Sequence, residues 1–206
     1  LFYGSSGIGK TETANFISTC LTEKIFRKQF SMFQNNQFST YLFGGAHYEK
    51  SFAKDLLDRE SNVILLDEFD KAHHTFHSAF YQLFDEGIFE DQNYIVQLKK
   101  SVIICTSNYK DEDEIRKELG DAIFNRFDVV IGFSELSEEA KIKIAEMSIL
   151  EVQMKYKEEK GMEIPEQYLD SLKTVTIKCR NAREIHHLVS DTFALYYIKQ
   201  ICSNYF

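Results

Sequence analysis

The chain has 206 residues, of which 44% are hydrophobic and 14% aromatic, and it carries a formal net charge of −8. This length predicts one main domain with a smaller appendage, and the composition is typical of a globular protein with a sizeable core. No window holds the roughly 18 uncharged apolar residues of a membrane span, so we expect a soluble protein with no membrane partner. The acidic charge argues against a surface that grips a phosphate backbone, and nucleic acid is a disfavoured partner.

The cysteines and the chain start indicate the cellular context. Cys20, Cys105, Cys179 and Cys202 lie far apart and form no CxxC pair, a pattern typical of reduced thiols in a cytosolic protein rather than of a disulfide frame or a zinc site. The chain begins at Leu1 without a charged n-region or an apolar h-region. We therefore expect a part of a longer cytoplasmic protein rather than a secreted precursor.

Short apolar segments alternate with helical ones in the first two thirds of the chain. Residues 1–3 form the end of a predicted strand, and residues 10–21 have the apolar spacing of a helix. Further strands are predicted at residues 29–33, 63–66, 102–105 and 129–133. This alternation predicts an α/β fold whose mostly parallel sheet is covered by helices on both faces.

The sequence pattern changes after Phe133. Ser137 is a suitable N-cap for a helix that ends near Gly161, and Pro165 opens another short helical stretch. Residues 182–201 predict a final amphipathic helix, while the charge-rich residues 111–118 predict a solvated helix start earlier in the chain. We predict a large α/β domain over residues 1–134 and a small helical domain over residues 135–206.

A glycine-rich segment follows the first predicted strand and matches the pattern GxxxxGK[ST]. Its residues are Gly4, Ser5, Ser6, Gly7, Ile8, Gly9, Lys10 and Thr11. Glycines let the backbone wrap a phosphate chain, so that successive N–H groups and a helix N-terminus face the negative charge. We expect Lys10 to reach the β and γ phosphates of ATP and the Thr11 hydroxyl to ligate Mg²⁺.

Two carboxylates end the apolar strand at residues 63–66. They are Asp67 and Glu68, and this position is the edge of a parallel sheet where open α/β folds bind ligands. We expect Asp67 to bind Mg²⁺ together with Thr11, and Glu68 to deprotonate the attacking water. A general base here predicts ATP hydrolysis in addition to binding.

Residues 65–73, with the sequence LLDEFDKAH, resemble the LLDE-x-x-KAH segment of Clp-type AAA+ ATPases. The spacing of the later motifs follows that family over nearly the whole chain. The resemblance implies a P-loop NTPase of the AAA+ type, in which a parallel sheet with helices on both faces is followed by a small α-helical lid domain.

Three later motifs add to this resemblance. Residues 106–108, TSN, are similar to the end of the family's sensor-1 strand, which makes Asn108 the residue that helps to fix the lytic water. Residues 124–128, FNRFD, resemble the box that carries the family's arginine finger, here Arg126. Residues 181–184, NARE, resemble the sensor-2 segment GAR with Asn in place of Gly, and imply that Arg183 contacts the γ-phosphate.

An arginine finger that is offered to a neighbouring subunit implies a ring. The resemblance therefore suggests a hexamer with ATP at the subunit interfaces, in which Arg126 acts in trans and Arg183 in cis. Such a finger supplies roughly 10³ to 10⁵ in rate. The alternative for each arginine is a surface ion pair, which contributes little energy.

The sequence departs from the family where unfoldases carry an aromatic pore loop of the GYVG kind. The corresponding residues 44–52, GGAHYEKSF, contain no such tetrapeptide and form a shorter loop. Tyr48, or Tyr41 with Phe43, could present a ring to a protein substrate, and these aromatics could equally pack in the core.

Two further patterns are assigned no function. Ile131, Gly132 and Phe133 mimic a peptidase-docking tripeptide, but they fall on a predicted strand, so we expect them to be buried and a peptidase partner is not supported. His73, His74 and His77 have helical spacing, but we reject a metal site because His73 belongs to the KAH segment of the resemblance.

The leading hypothesis is a magnesium-dependent ATPase that assembles with copies of itself and drives remodelling or unfolding of a protein substrate. One alternative is an ATP-gated ring scaffold or adaptor that has lost threading activity. Another is a nucleic-acid motor or loader, which would require a basic channel bearing aromatic side chains.

Overall fold

The computed structural model describes residues 1–32, 37–72 and 74–203, and the chain divides into two compact units. The first unit comprises Leu1–Ser5 and Gly9–Phe133, and the second comprises Ser6–Ile8 and Ser134–Phe206. None of the helices in these described ranges is long and apolar enough to cross a membrane.

The first unit contains a parallel sheet. The strands of this unit, within the described residues, are β1 (Phe2–Tyr3), β2 (Ile25–Gln29), β3 (Val63–Asp67), β4 (Ile88–Glu90), β5 (Ile95–Gln97), β6 (Val102–Cys105) and β7 (Ile131–Gly132). Strands β4 and β5 lie outside the parallel sheet. Strand β3 lies between β2 and β6, and β1 pairs with β7. A parallel bridge between Phe2 and Thr106 continues the hydrogen bonding from β6 to β1. The predicted mostly parallel sheet is confirmed.

Six helices accompany this sheet in the described part of the first unit. They are α1 (Lys10–Cys20), α2 (Gln37–Phe43), α3 (Phe52–Leu57), α4 (Tyr81–Glu86), α5 (Glu112–Leu119) and α6 (Asp121–Phe124), with 3₁₀ helices at Phe30–Met32, Phe69–Lys71 and His74–Phe80. Asp111 caps α5 by accepting a hydrogen bond from the Glu114 amide. Strands β4 and β5 form an antiparallel hairpin that the sequence patterns did not predict.

Both faces of strand β3 are covered, because its side chains alternate in direction. Val63 and Leu65 pack with Ala14 of α1 on one face. Ile64 and Leu66 belong to a larger cluster on the other face, which includes the fully buried rings of Phe30, Phe38, Phe52, Phe69, Phe80 and Phe89. This rigid core fixes the end of β3, where the two carboxylates stand.

The prediction of a strand at residues 29–33 is wrong. The strand lies earlier, at Ile25–Gln29, and Phe30 starts a 3₁₀ helix that turns its ring into the core, while Phe33 lies outside the described residues. The prediction failed because three consecutive polar residues of β2, Arg27, Lys28 and Gln29, hide the strand pattern. Each of them donates to a carboxylate: Asp67, Asp55 and Glu68 respectively.

The second unit contains helices α7 (Glu138–Lys160), α8 (Glu166–Thr176) and α9 (Ala182–Ser203). As predicted, Ser137 caps α7 and the helix ends at Gly161, where φ is 64°. Pro165 precedes α8. The apolar faces of the three helices meet in a separate core that includes Ala145, Ile149, Leu172, Ile185, Val189 and Phe193.

Candidate nucleotide site

The glycine-rich loop connects β1 directly to α1. Gly9 occupies the N-cap of α1 with φ 102°, a left-handed conformation that side-chain-bearing residues rarely adopt. Gly7 has φ 75°, and a Cβ atom there would lie 3.0 Å from Cγ of Asn181, which belongs to the same unit as Gly7. The loop therefore requires glycine at both positions, and it delivers the chain into the N-terminus of an 11-residue helix that can face an anion.

Lys10 lies at the base of the loop and is only 7% exposed. Its ammonium group donates to the carbonyl oxygens of Gly4 (2.6 Å) and Ser5 (2.7 Å) and to Oδ1 of Asn108 (3.3 Å). Burial lowers the pKa of Lys10, and the nearby carboxylates, Asp70 foremost, oppose that shift. The cation is thus held inside the loop, directly beside the predicted sensor-1 residue.

Asp67 at the end of β3 contacts Thr11 in the first turn of α1. The Thr11 hydroxyl donates to Oδ1 of Asp67 at 3.4 Å, and Thr106 donates to the same oxygen. The other oxygen, Oδ2, accepts from the Arg27 guanidinium, with Nε at 3.0 Å. A hydroxyl and a carboxylate oxygen side by side are the donors that Mg²⁺ prefers in nucleotide sites, so these residues fit the predicted ion.

Glu68 has an unusual backbone conformation, with φ 56° and ψ 45°. Its amide donates to the Thr106 hydroxyl at 2.9 Å, and Oε2 accepts from Nε2 of Gln29 at 3.0 Å. Hydrogen bonds from Ser31 and Gln29 lower the pKa of Glu68. The carboxyl group is therefore ionised at neutral pH, as a general base must be.

Arg126 contacts a different set of residues. Its Nε donates to Oδ2 of Asp85 at 2.8 Å, Nη1 donates to the Ala122 carbonyl, and the guanidinium lies 4.3 Å from the ring centroid of Tyr81. The structure thus brings Lys10, Thr11, Asp67 and Asn108 together. Arg126 instead packs against side chains of α4.

Arg183 is the second residue of α9 and is exposed. The preceding Asn181 accepts a hydrogen bond from the Glu184 amide through Oδ1 at 2.9 Å, which caps the helix. The replacement of the family's Gly by Asn therefore stabilises the start of α9. Within this second unit the Ala182 amide also donates to the Gly7 carbonyl at 2.9 Å.

The two tyrosines considered as substrate contacts, Tyr41 and Tyr48, differ in their exposure to solvent. Tyr41 is buried and its hydroxyl donates to Asp55 at 2.6 Å, so it is a packing residue. Tyr48 is 85% exposed. The hairpin turn braces the loop around it, since Asn93 donates to the Gly45 carbonyl and the rings of His47 and Tyr94 stack 5.5 Å apart.

The expected burial of the docking-like tripeptide is wrong at its first two residues, because Ile131 and Gly132 are both exposed. Ile131 is 42% exposed because β7 is an edge strand paired only with the short β1 in the described sheet, whereas Phe133 packs on Phe2 at 5.2 Å. His73 lies outside the described residues. The described His77 is buried and stacks on Phe69 at 5.3 Å, and the described residues contain no group of three metal-ligating side chains.

Sequence reasoning missed Arg27, Gln29 and Thr106, which position the two carboxylates, and Tyr81 and Asp85, which hold Arg126. A signal existed for Arg27, Gln29 and Thr106, because the strands on either side of β3 end beside its carboxylates. Asp85 and Arg126 are 41 residues apart, so no local sequence pattern indicates that they pair.

Comparison with known proteins shows the family to which the chain belongs. The family model described as "AAA domain (Cdc48 subfamily)" matches residues 1–166, and the chain belongs to this family. Chaperone protein ClpB of Malacoplasma penetrans (strain HF-2) is 30% identical over 179 residues, which cover 77% of this chain and 25% of that protein. The ATP-dependent Clp protease ATP-binding subunit ClpE of Lactococcus lactis subsp. lactis (strain IL1403) is 33% identical over 184 residues, covering 74% and 24%.

These matches confirm that the chain is a Clp-type AAA+ ATPase module with a P-loop NTPase fold. The chain spans about a quarter of the length of the curated relatives it matches.

Proposed function

We propose that this chain binds and hydrolyses ATP with Mg²⁺ and uses the energy to remodel or unfold protein substrates. The observation that carries the proposal is the meeting of Lys10, Thr11, Asp67 and Asn108 beside the ionised Glu68. Two relatives are named as a chaperone and as a protease ATP-binding subunit. These names support the proposal that the protein acts on other proteins.

The loop binds the phosphates of ATP. The backbone N–H groups of the loop, formed by Gly4, Ser5, Ser6, Gly7, Ile8 and Gly9, face the phosphate chain together with the N-terminus of α1. Lys10 exchanges its carbonyl partners in the loop for the β and γ phosphates, a better match for a buried ammonium because they carry full negative charge.

Thr11 and Asp67 are the residues that would hold the metal. Bound Mg²⁺ would neutralise the phosphate charge that grows as the bond to the γ-phosphate breaks. Arg27 donates to Oδ2 of Asp67, while Oδ1 faces the hydroxyls of Thr11 and Thr106.

Glu68 takes the proton from the attacking water, and Asn108 fixes that water. The lowered pKa of Glu68 keeps its carboxylate free to accept the proton. Gln29 and Ser31 hold the carboxylate by hydrogen bonds, and the side chain would turn from them toward the water.

Arg126 and Arg183 complete the site in a hexameric ring in the cytoplasm, the former from the neighbouring subunit and the latter from the same chain. The contacts of Arg126 with α4 support a role in trans, because they direct the guanidinium toward residues other than those around Lys10.

The four free cysteines support a reducing location.

A protein substrate would contact Tyr48, which is exposed on a braced loop. A substrate-unfolding assay distinguishes this role from that of a ring scaffold, since a scaffold would hydrolyse ATP slowly and unfold nothing.

The first experiment measures ATP turnover across protein concentration for the wild type, Lys10→Ala and Arg126→Ala. We expect turnover that rises steeply with concentration and collapses in both variants. Arg116→Ala is the matched control, because Arg116 also pairs with a carboxylate (Asp121, 2.8 Å) and covers a ring (Phe124, 3.8 Å). Turnover that does not depend on protein concentration and survives Arg126→Ala would refute the proposed ring.

A further inference from the structure

The guanidinium of Arg126 lies in a small cradle on α4. Tyr81 and Asp85 are four residues apart, so they lie on one face of this helix. The Tyr81 ring supports the flat side of the guanidinium and Asp85 accepts from Nε, while the Ala122 carbonyl accepts from Nη1. The contact residues therefore come from two elements that are distant in the sequence.

These contacts leave one edge of the guanidinium for another partner. Nε and Nη1 donate within the chain, whereas Nη2 has no hydrogen-bond partner among residues 1–32, 37–72 and 74–203. Arginine offers five N–H donors in a fixed plane, so holding two positions determines where the remaining donors point. A cradled arginine loses less conformational freedom on meeting a phosphate than a free one.

Helix stability does not explain the position of Asp85. It lies in the last turn of α4, which has no basic residue there and ends at Gly87 with φ 69°. A carboxylate near a helix C-terminus is unfavourable, because the peptide dipoles place partial negative charge at that end. Arg126 supplies the compensating cation, which ties the placement of Asp85 to the arginine.

We propose that Asp85 and Tyr81 are positioning residues, which hold Arg126 with its Nη2 edge presented to the γ-phosphate bound by the neighbouring subunit. This inference rests on the proposed role of Arg126 in trans. It assigns a function in the assembled ring to α4, a helix that contributes nothing to the nucleotide site of its own chain among the contacts described above.

The test mixes two variants of the protein in equal amounts. Arg126→Ala keeps its own site but offers no finger, and Lys10→Ala offers a finger but has no working site. Each is expected to be inactive alone, and the mixture is expected to regain turnover. Asp85→Asn is then added to one partner at a time.

Added to the Lys10→Ala partner, Asp85→Asn should lower the restored kcat about 10-fold to 100-fold, because misplacement of a catalytic group by about 1 Å has effects of this size. The KM for ATP should stay unchanged. Added to the Arg126→Ala partner, the same substitution should have no effect. Asp121→Asn in the Lys10→Ala partner is the matched control, since it breaks the similar pair with Arg116.

Tyr81 provides a second measurement that does not depend on the charge pair. Tyr81→Phe keeps the ring and should preserve the restored kcat, whereas Tyr81→Leu should lower it with KM unchanged. Restored turnover that is insensitive to Asp85→Asn and Tyr81→Leu, or equally sensitive in either partner, would overturn the cradle while leaving the trans finger intact. A mixture that regains no turnover would overturn both, starting with the proposed ring.

Discussion

Substitution of Glu68 by Gln should abolish turnover while leaving ATP bound. The amide has the shape of the carboxylate, and its oxygen can still accept from Gln29 as Oε2 does at 3.0 Å, so the side chain stays in place. The chemical loss is that of a general base, about 10² to 10⁴ in kcat, or about 3 to 5 kcal/mol in the barrier. The groups proposed to bind the phosphates, Lys10 and the loop, are untouched.

The assay is single-turnover hydrolysis of labelled ATP, with retention of nucleotide measured in parallel by gel filtration. Glu90→Gln serves as the control, since Glu90 is an exposed glutamate at the end of β4. A kcat for Glu68→Gln within about tenfold of the wild type would refute the assignment, because the loss would then be smaller than a general base contributes.

Three further predictions follow from the structure. Gln29→Leu removes a hydrogen bond that lowers the pKa of Glu68, so that pKa should rise toward its ordinary value and the acidic limb of the kcat profile should move to higher pH; an unmoved limb would contradict the pairing. Phe52→Ala, at a fully buried ring that packs 4.8 Å from Phe89, should destabilise the protein by about 3–5 kcal/mol in urea unfolding, whereas Phe16→Ala, at a ring that is 67% exposed, should change little. Tyr48→Ala should slow unfolding of a protein substrate with ATP turnover retained, and equal rates would exclude its ring as a substrate contact.

The parts of the fold that were predictable are those in which one physical requirement determines the sequence. Strand β3 is buried along its whole length and appears as an unbroken apolar run. The loop before α1 needs glycines and a lysine at fixed spacing, and the caps of α5 and α7 are side chains that belong to helix starts. Each of these signals is local, so one segment of sequence suffices to recognise it.

Strand β2 and the α4 cradle were missed because their requirements are not local. The polar residues of β2 are stable in a strand only because carboxylates of other elements face them. The same holds for Asp85, whose partner is 41 residues away. These polar residues interrupt the apolar periodicity of the strand or helix that contains them. A search for periodicity therefore counts them as evidence against that element.

The left-handed backbone at Glu68 has a practical consequence for protein engineering. This conformation costs a residue other than Gly or Asn about 1–2 kcal/mol, and the described chain shows it at two further such positions, Thr22 and Lys100. A selection for heat resistance would favour Gly or Asn at all three positions. At Glu68 the selected variants would melt later but, on the proposed role of Glu68, lose about 10² to 10⁴ in kcat. Thermal selection therefore has to be paired with a screen for phosphate release.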